Sequence, residues 1–186
     1  MKNRTFSALT VAAFLAASAA LVGCSKQAPE QGEQKTSAPA SDVIKIGVFQ
    51  PLTGANSAGG ADELEGIKLA NKLYPTALGK KVELVIVDNK SDKVEAANAA
   101  TVLTQKEKVN AVLGSWGSSL SMSGGPIFAE AKIPAVALSA TNPNVTAGNP
   151  WQFRVCFIDT YQGEIMAKYA YECGYTKIGI LRELTN

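Results

Sequence analysis

The sequence predicts an α/β fold, a mainly parallel sheet with helices on both faces. Three observations lead there. From Asp42 onward, short apolar runs alternate with amphipathic stretches. The alternation is regular, strand then helix then strand, which implies right-handed βαβ crossovers and parallel pairing. The chain beyond its first two dozen residues is also one domain's worth of sequence.

The elements follow in order. Val43 to Phe49 reads as the first strand, and Asp62 to Tyr74 as a helix with Leu64, Ile67, Asn71 and Tyr74 along one side. Val82 to Val87 is the second strand. Asp92, with Glu95 three residues on, resembles a capping box. Behind it Ala96, Ala99, Ala100 and Leu103 recur at helical spacing. Ala111 to Leu113 is a third strand. Ser119 to Ala131 is a weaker helix, interrupted at Gly124-Gly125-Pro126, where a kink or late start is expected. Ile133 to Leu138 and Trp151 to Phe157 are strands four and five, Tyr161 to Cys173 a helix, and Lys177 to Leu181 a sixth strand.

In such sheets ligands bind in the crevice beyond the carboxyl ends of the strands. Three segments leave strands there: Gln50 to Gly60, Ser115 to Ser119, and Ser139 to Asn144. All three are rich in hydroxyls and small residues, and the topology gathers them at one edge. Thr53, Trp116 and Ser118 come with them.

The N-terminus has the form of an export signal. Lys2 and Arg4 precede an uncharged stretch, Phe6 to Gly23, dominated by Ala and Leu. It closes on Leu21-Val22-Gly23-Cys24, which resembles the lipobox of bacterial lipoproteins, so Cys24 is the expected site of lipidation. The alternative is an uncleaved transmembrane anchor. Either places the remainder outside the cytoplasm. Ser25 to Ser41 holds no Val, Ile, Leu, Met or aromatic residue, so it reads as a flexible tether.

Composition narrows the chemistry. Without Lys2 and Arg4 the chain carries 16 basic and 16 acidic residues, which lacks the basic footprint of a nucleic-acid binder. There is no His, hence neither the commonest general base nor the commonest metal ligand. No Ser sits in Gly-x-Ser-x-Gly, and no Ser-x-x-Lys occurs in the three loops. An enzyme, a metal site and a cofactor are therefore not expected. Gly54 and Gly59 have phosphate-loop spacing, but Gly60 and Ala61 stand where Lys and Ser or Thr belong. Asp88 to Asp92 begins like a calcium loop, but Lys93 and Ala99 occupy the required Gly and Glu positions. Cys156 and Cys173 lie near opposite ends of the last helix, about 20 Å apart at 1.5 Å per residue, so two free, buried thiols are expected.

What remains is a pocket of neutral dipoles. Ser119, opening a helix, offers a hydroxyl together with uncapped backbone amides, which suits a carboxylate. Ser139 and Thr141 offer a carbonyl and a hydroxyl that can accept from an ammonium. Taken singly, Ser119 reads rather as a helix cap and Thr141-Asn142-Pro143 as a turn; their convergence reverses that preference and favours a site for a zwitterion.

The motifs "IKIGVFQPLTG", "VLGSWGSSLS", "IPAVALSATNPNVT" and "FRVCFIDTYQGEIMAKYA" resemble the periplasmic solute-binding proteins of branched-chain amino acid type ABC transporters. The resemblance implies a type I lobe closing with a second lobe on a small solute, without catalysis or cofactor. It implies that Ser119 holds the ligand carboxylate, that Ser139 and Thr141 hold the ammonium, and that Ala140 lies between them in the same loop. Where the family often places an aromatic ring, this chain has Gly59, or one of Ala58 to Gly60; Trp116 is either the replacement wall or a packing anchor. The expected division is a signal peptide at 1–23, a tether at 24–41, an incomplete N-terminal lobe at 42–158 and the start of a second, truncated lobe at 159–186. The implied partners are an amino acid or related zwitterion, a membrane-embedded ABC permease, and a bilayer reached through Cys24. A ligand sensor on the same scaffold is the alternative, with a serine-based enzyme a remote third.

Overall fold

The structure, a computed structural model, describes residues 42–181. The expected signal peptide, Cys24 and the tether lie outside the described residues. Six strands form one sheet in the order β2-β3-β1-β4-β5-β6. β1 (Val43–Gln50), β3 (Lys80–Asp88), β4 (Ala111–Leu113), β5 (Ala135–Ala137) and β6 (Gln152–Arg154) run parallel, and the short β2 (Thr76–Ala77) pairs antiparallel with β3. The helices are α1 (Ser57–Leu73), α2 (Lys93–Thr101), α3 (Ser118–Glu130) and α4 (Asp159–Glu172). Among the described residues, no helix is long and apolar enough to cross a membrane.

Successive side chains of a strand point to opposite faces, and β1 shows what this does. Val48 packs with Leu64 and Ile67 of α1, while Phe49 packs with Ala96, Ala99 and Ala100 of α2 and with Leu120 and Phe128 of α3. Phe49 meets Phe128 edge to face, with ring centroids 5.5 Å apart, the orientation the ring quadrupoles favour. Both faces of the sheet are thus covered, as the alternating pattern requires. α2 starts at Asp92, whose carboxylate accepts from the amides of Val94 (2.8 Å) and Glu95 (3.0 Å). Glu95 itself pairs with Lys90 at 3.0 Å and does not complete a capping box.

Four sequence expectations are corrected. α1 begins at Ser57, not Asp62. The glycines that argue for a loop are there because a Cβ at Gly60 would sit 2.0 Å from the Pro51 carbonyl oxygen, so the first helical turn seats directly on the exit of β1. α3 runs unbroken from Ser118 through Pro126 to Glu130. Packing overrides the local cost of proline: a Cβ at Gly124 would touch the rings of Phe49 and Phe128 at 3.0 Å, and one at Gly125 would lie 2.5 Å from Gln152 Oε1. No strand forms at Lys177–Leu181, because no described strand lies beside it to complete a ladder, and Ile178, Ile180 and Leu181 are exposed. Cys156 and Cys173 are both free, but only Cys156 is half-buried and Cys173 is exposed. α4 buries none of its residues, so its last turn shelters nothing.

Candidate functional site

The strand order reverses direction at β1. β3 lies on one side of it and β4 on the other, which opens a crevice at their carboxyl ends. The side chain that leaves β1 there is Gln50, which is fully buried. Its Oε1 accepts from the Trp116 amide at 2.8 Å, and its Nε2 donates to Glu63 Oε2 at 2.5 Å. One amide therefore ties the exits of β1 and β4 to α1.

Beneath this lies a buried polar lattice. The Asn89 amide donates to the Gln50 carbonyl at 3.0 Å, and Asn89 Nδ2 donates to Ser115 Oγ at 2.9 Å. Ser121 Oγ accepts from the Ser115 amide (3.1 Å) and donates to the Ser115 carbonyl (3.0 Å). Asn89, Ser115 and Ser121 are fully buried, and buried polar groups satisfied in this way fix one conformation of the turn. Two of the serines in "SWGSSLS" are thus structural.

The other two are not used up. α3 opens behind Gly117 (φ 89°), which has no side chain to cap it. The first amide of this helix to find a backbone partner is Ser121, on the Gly117 carbonyl, so the amides of Ser118, Ser119 and Leu120 point off the end of the helix. Ser118 Oγ accepts from the Asn142 amide at 3.2 Å, which braces the loop after β5 against this terminus. Among the described residues, no hydrogen bond engages the hydroxyls of Ser119 and Thr141 or the carbonyl of Ser139.

Arg154 holds that loop in place. Its guanidinium donates to the carbonyls of Ala140 (3.0 Å), Asn142 (3.0 Å) and Pro143 (3.2 Å) and to Thr146 Oγ1 (2.8 Å). Ala140 itself is buried in a cluster with Ala137 and Val145, and its carbonyl also receives the Cys156 thiol at 3.6 Å. Burial pushes that thiol's pKa up.

Hydrogen bonds thus link the Trp116 turn through Gln50 and Glu63 to Ser139, and Ser118 to the Asn142 amide that follows Thr141, with Ser119 the next residue of α3 and Ala140 buried in its own cluster. Thr53 is engaged elsewhere. Its hydroxyl (2.7 Å) and amide (3.3 Å) donate to Asp88, as does the amide of Leu52 (2.8 Å), and its carbonyl accepts from Ser91 Oγ (2.6 Å). Burial alone would raise the Asp88 carboxyl, but hydrogen bonds from Thr53, Lys90 and Leu52 outweigh it and hold the pKa below its ordinary value. Among the described residues, no group of three or more Cys, Asp or Glu is placed to hold a metal ion.

Sequence reasoning missed Gln50, Arg154 and Glu63. Glu63 is half-buried and accepts from the Ser139 hydroxyl as well as from Gln50. Burial raises its carboxyl above the ordinary 4.5, and the two hydrogen bonds offset part of that rise. A signal was available: Glu63 lies three residues after Gly60 and four before Ile67, on the stripe α1 buries.

A family profile described as periplasmic binding protein matches residues 43–184. The chain belongs to the periplasmic binding protein family. The family's name gives it an extracytoplasmic setting, and the solved structures this chain resembles include substrate-binding proteins of ABC transporters. An amino acid binding protein of Pseudomonas aeruginosa is 34% identical over 133 residues, covering 69% of this chain and 35% of that protein. A leucine binding protein of Thermotoga maritima is 48% identical with a TM-score of 0.68, over 70% of this chain and 37% of the other. A solute binding protein of an ABC transporter from Rhodopseudomonas palustris, in complex with 3,4-dihydroxy benzoic acid, is 26% identical with a TM-score of 0.69, over 72% and 37%. This periplasmic binding protein chain thus spans little more than a third of the length of the relatives it matches.

Proposed function

We propose that the chain is an extracytoplasmic solute-binding protein, lipid-anchored through Cys24, that captures an amino acid for a membrane-embedded ABC permease. Branched-chain amino acids are the first candidates. The observation that supports this most directly is the uncapped end of α3 braced against the loop after β5. Ser119 and the neighbouring amides suit a carboxylate. The Ser139 carbonyl and the Thr141 hydroxyl suit an ammonium, and charge-assisted hydrogen bonds of this kind are the strong ones. Relatives described as binding amino acids and leucine support the same class. The solute would be enclosed when this lobe, residues 42–158, closes against a second that begins at 159, a hinge movement. The same closure serves a sensor as well as an importer, and neighbouring permease and ATPase genes would favour import.

One observation favours a second solute class. The Trp116 indole occupies the space over Gly59, and a flat apolar wall beside a carboxylate cradle suits an aromatic acid such as the one bound by the Rhodopseudomonas neighbour. Calorimetry of the protein as its gene encodes it, against the amino acids and against 3,4-dihydroxybenzoate, tests both. Saturable binding of a branched-chain amino acid is the expected result. Binding of the aromatic acid with no amino acid bound would transfer the reading to that class, and heats indistinguishable from dilution throughout would sink it.

A further inference from the structure

Glu63 is a half-buried carboxylate whose nearest partners are neutral. The ion pairs among the described residues are Lys68–Glu65, Lys90–Glu95, Lys106–Glu107 and Lys168–Glu172, and Glu63 enters none. Taking a charge out of water without an opposite charge beside it is unfavourable. α1 nevertheless places one on its buried stripe, where a neutral Gln would make both hydrogen bonds. Its Nε2 can donate to the Ser139 hydroxyl, and its Oε1 can accept from Gln50. The charge, then, is not there for the packing.

Its surroundings indicate what it is for. One carboxylate oxygen accepts from the Ser139 hydroxyl, and the Ser139 carbonyl, on the same residue, has no partner among the described residues. The other oxygen holds Gln50 at 2.5 Å, and Gln50 holds the Trp116 turn that opens α3. The crevice accordingly has two poles: the amide end of α3, partially positive, and the Glu63 carboxylate, negative, joined through a single glutamine. We propose that Glu63 is a specificity-determining residue, the negative pole that makes this crevice prefer an aminocarboxylate to a plain carboxylate. This rests on the solute-binding reading above. A cation accepted by the Ser139 carbonyl lies within one serine's length of the carboxylate, where the field of a half-buried charge is stronger than that of one fully in water. A ligand with a carboxylate alone gains nothing from it.

The test uses leucine and its deaminated counterpart isocaproate as calorimetric probes, on the protein as its gene encodes it and on Glu63→Gln and Glu63→Asp variants. Wild-type protein is expected to bind leucine more tightly than isocaproate. Glu63→Gln should weaken leucine roughly tenfold, as loss of a favourable charge at this range implies, and leave isocaproate unchanged or tighter. Its Tm should hold or rise, because an unpaired half-buried charge has gone. Glu63→Asp keeps the charge and should keep the preference for leucine. Unchanged leucine affinity in Glu63→Gln overturns the proposal, as does equal weakening of both probes with a falling Tm, which is the mark of a merely structural residue. If Glu63→Gln does not fold, an Asp variant that has lost the preference overturns it equally. Wild-type protein that binds neither probe removes the solute-binding reading itself, an outcome separate from wild type binding leucine and Glu63→Gln binding it as well.

Discussion

The indole of Trp116 stands where a side chain on Gly59 would have to be: a Cβ there would lie 2.3 Å from both Cε2 and Nε1 of the ring. Position 59 is on the first turn of α1 and Trp116 is on the turn before α3, so two exits of the sheet share one volume. Gly59→Ala must displace the ring. We expect a loss of about 1–3 kcal/mol, the usual range for overpacking, together with a red-shifted Trp emission in a Trp151→Phe background. Adding Trp116→Ala should recover much of the loss. Additive destabilisation would separate the two residues.

Ser119 and Thr141 make a second pair of expectations. Their hydroxyls have no partner among the described residues, so deleting them takes nothing from the fold that these bonds supply. Ser119→Ala and Thr141→Ala should each weaken the solute by about 1.5–3 kcal/mol, the range for hydrogen bonds to charged groups, with Tm nearly unchanged. Ser121→Ala gives the contrast. It removes the group that both accepts from and donates to Ser115 inside the buried lattice, and should cost stability first. Calorimetry beside thermal melts separates the two outcomes.

The fold was legible wherever the pattern repeats. β1 and β3 were long enough to show their apolar runs, and Asp92 announced α2 by its own side chain. Legibility failed where a contact distant in sequence decides. Gly59, Gly60 and Gly124 look like breakers locally, yet each is small because Trp116, Pro51 or the pair Phe49 and Phe128 comes too close for a Cβ. The site divides the same way. That Ser119, Ser139 and Thr141 lie just beyond strand ends was legible because a sheet's exits are predictable, whereas Gln50, Glu63 and Arg154 act through partners 13 to 76 residues away along the chain, or around a returning loop. A single sequence carries no mark of such pairings beyond a charge on an apolar stripe.

Arg154 yields a third expectation. Its guanidinium serves three carbonyls and one hydroxyl of the loop that holds Ser139, Ala140 and Thr141. A Lys has one compact ammonium and no planar fork, so it cannot span that set. Arg154→Lys should lower stability by about 1–3 kcal/mol, the cost of leaving such acceptors unpaired. It should also weaken the solute, because the loop it anchors bears the proposed ammonium contacts. An unchanged denaturation midpoint would show that the loop holds itself.

Two carboxylates shape the pH dependence with opposite signs. Asp88 titrates below its ordinary 3.8 in the folded protein: burial opposes this, but the Thr53 hydroxyl and the amides of Lys90, Leu52 and Thr53 prevail. As pH falls through 3.8 the unfolded chain takes up the proton first, so the contribution of Asp88 is present above that pH and is lost as pH drops through the folded value. Glu63 titrates above 4.5, chiefly through burial. Here the folded state binds the proton more tightly, so a contribution present below 4.5 is lost as pH rises through the raised value. Urea midpoints across the acid range should therefore fall on both sides of an optimum. Asp88→Asn should lower the midpoint at neutral pH and converge with wild type at the acid end, since its hydrogen-bonded charge is what acid removes. Glu63→Gln should flatten the decline above 4.5 and leave the acid limb intact. Parallel curves for wild type and either variant would mean that the corresponding carboxylate does not set its limb.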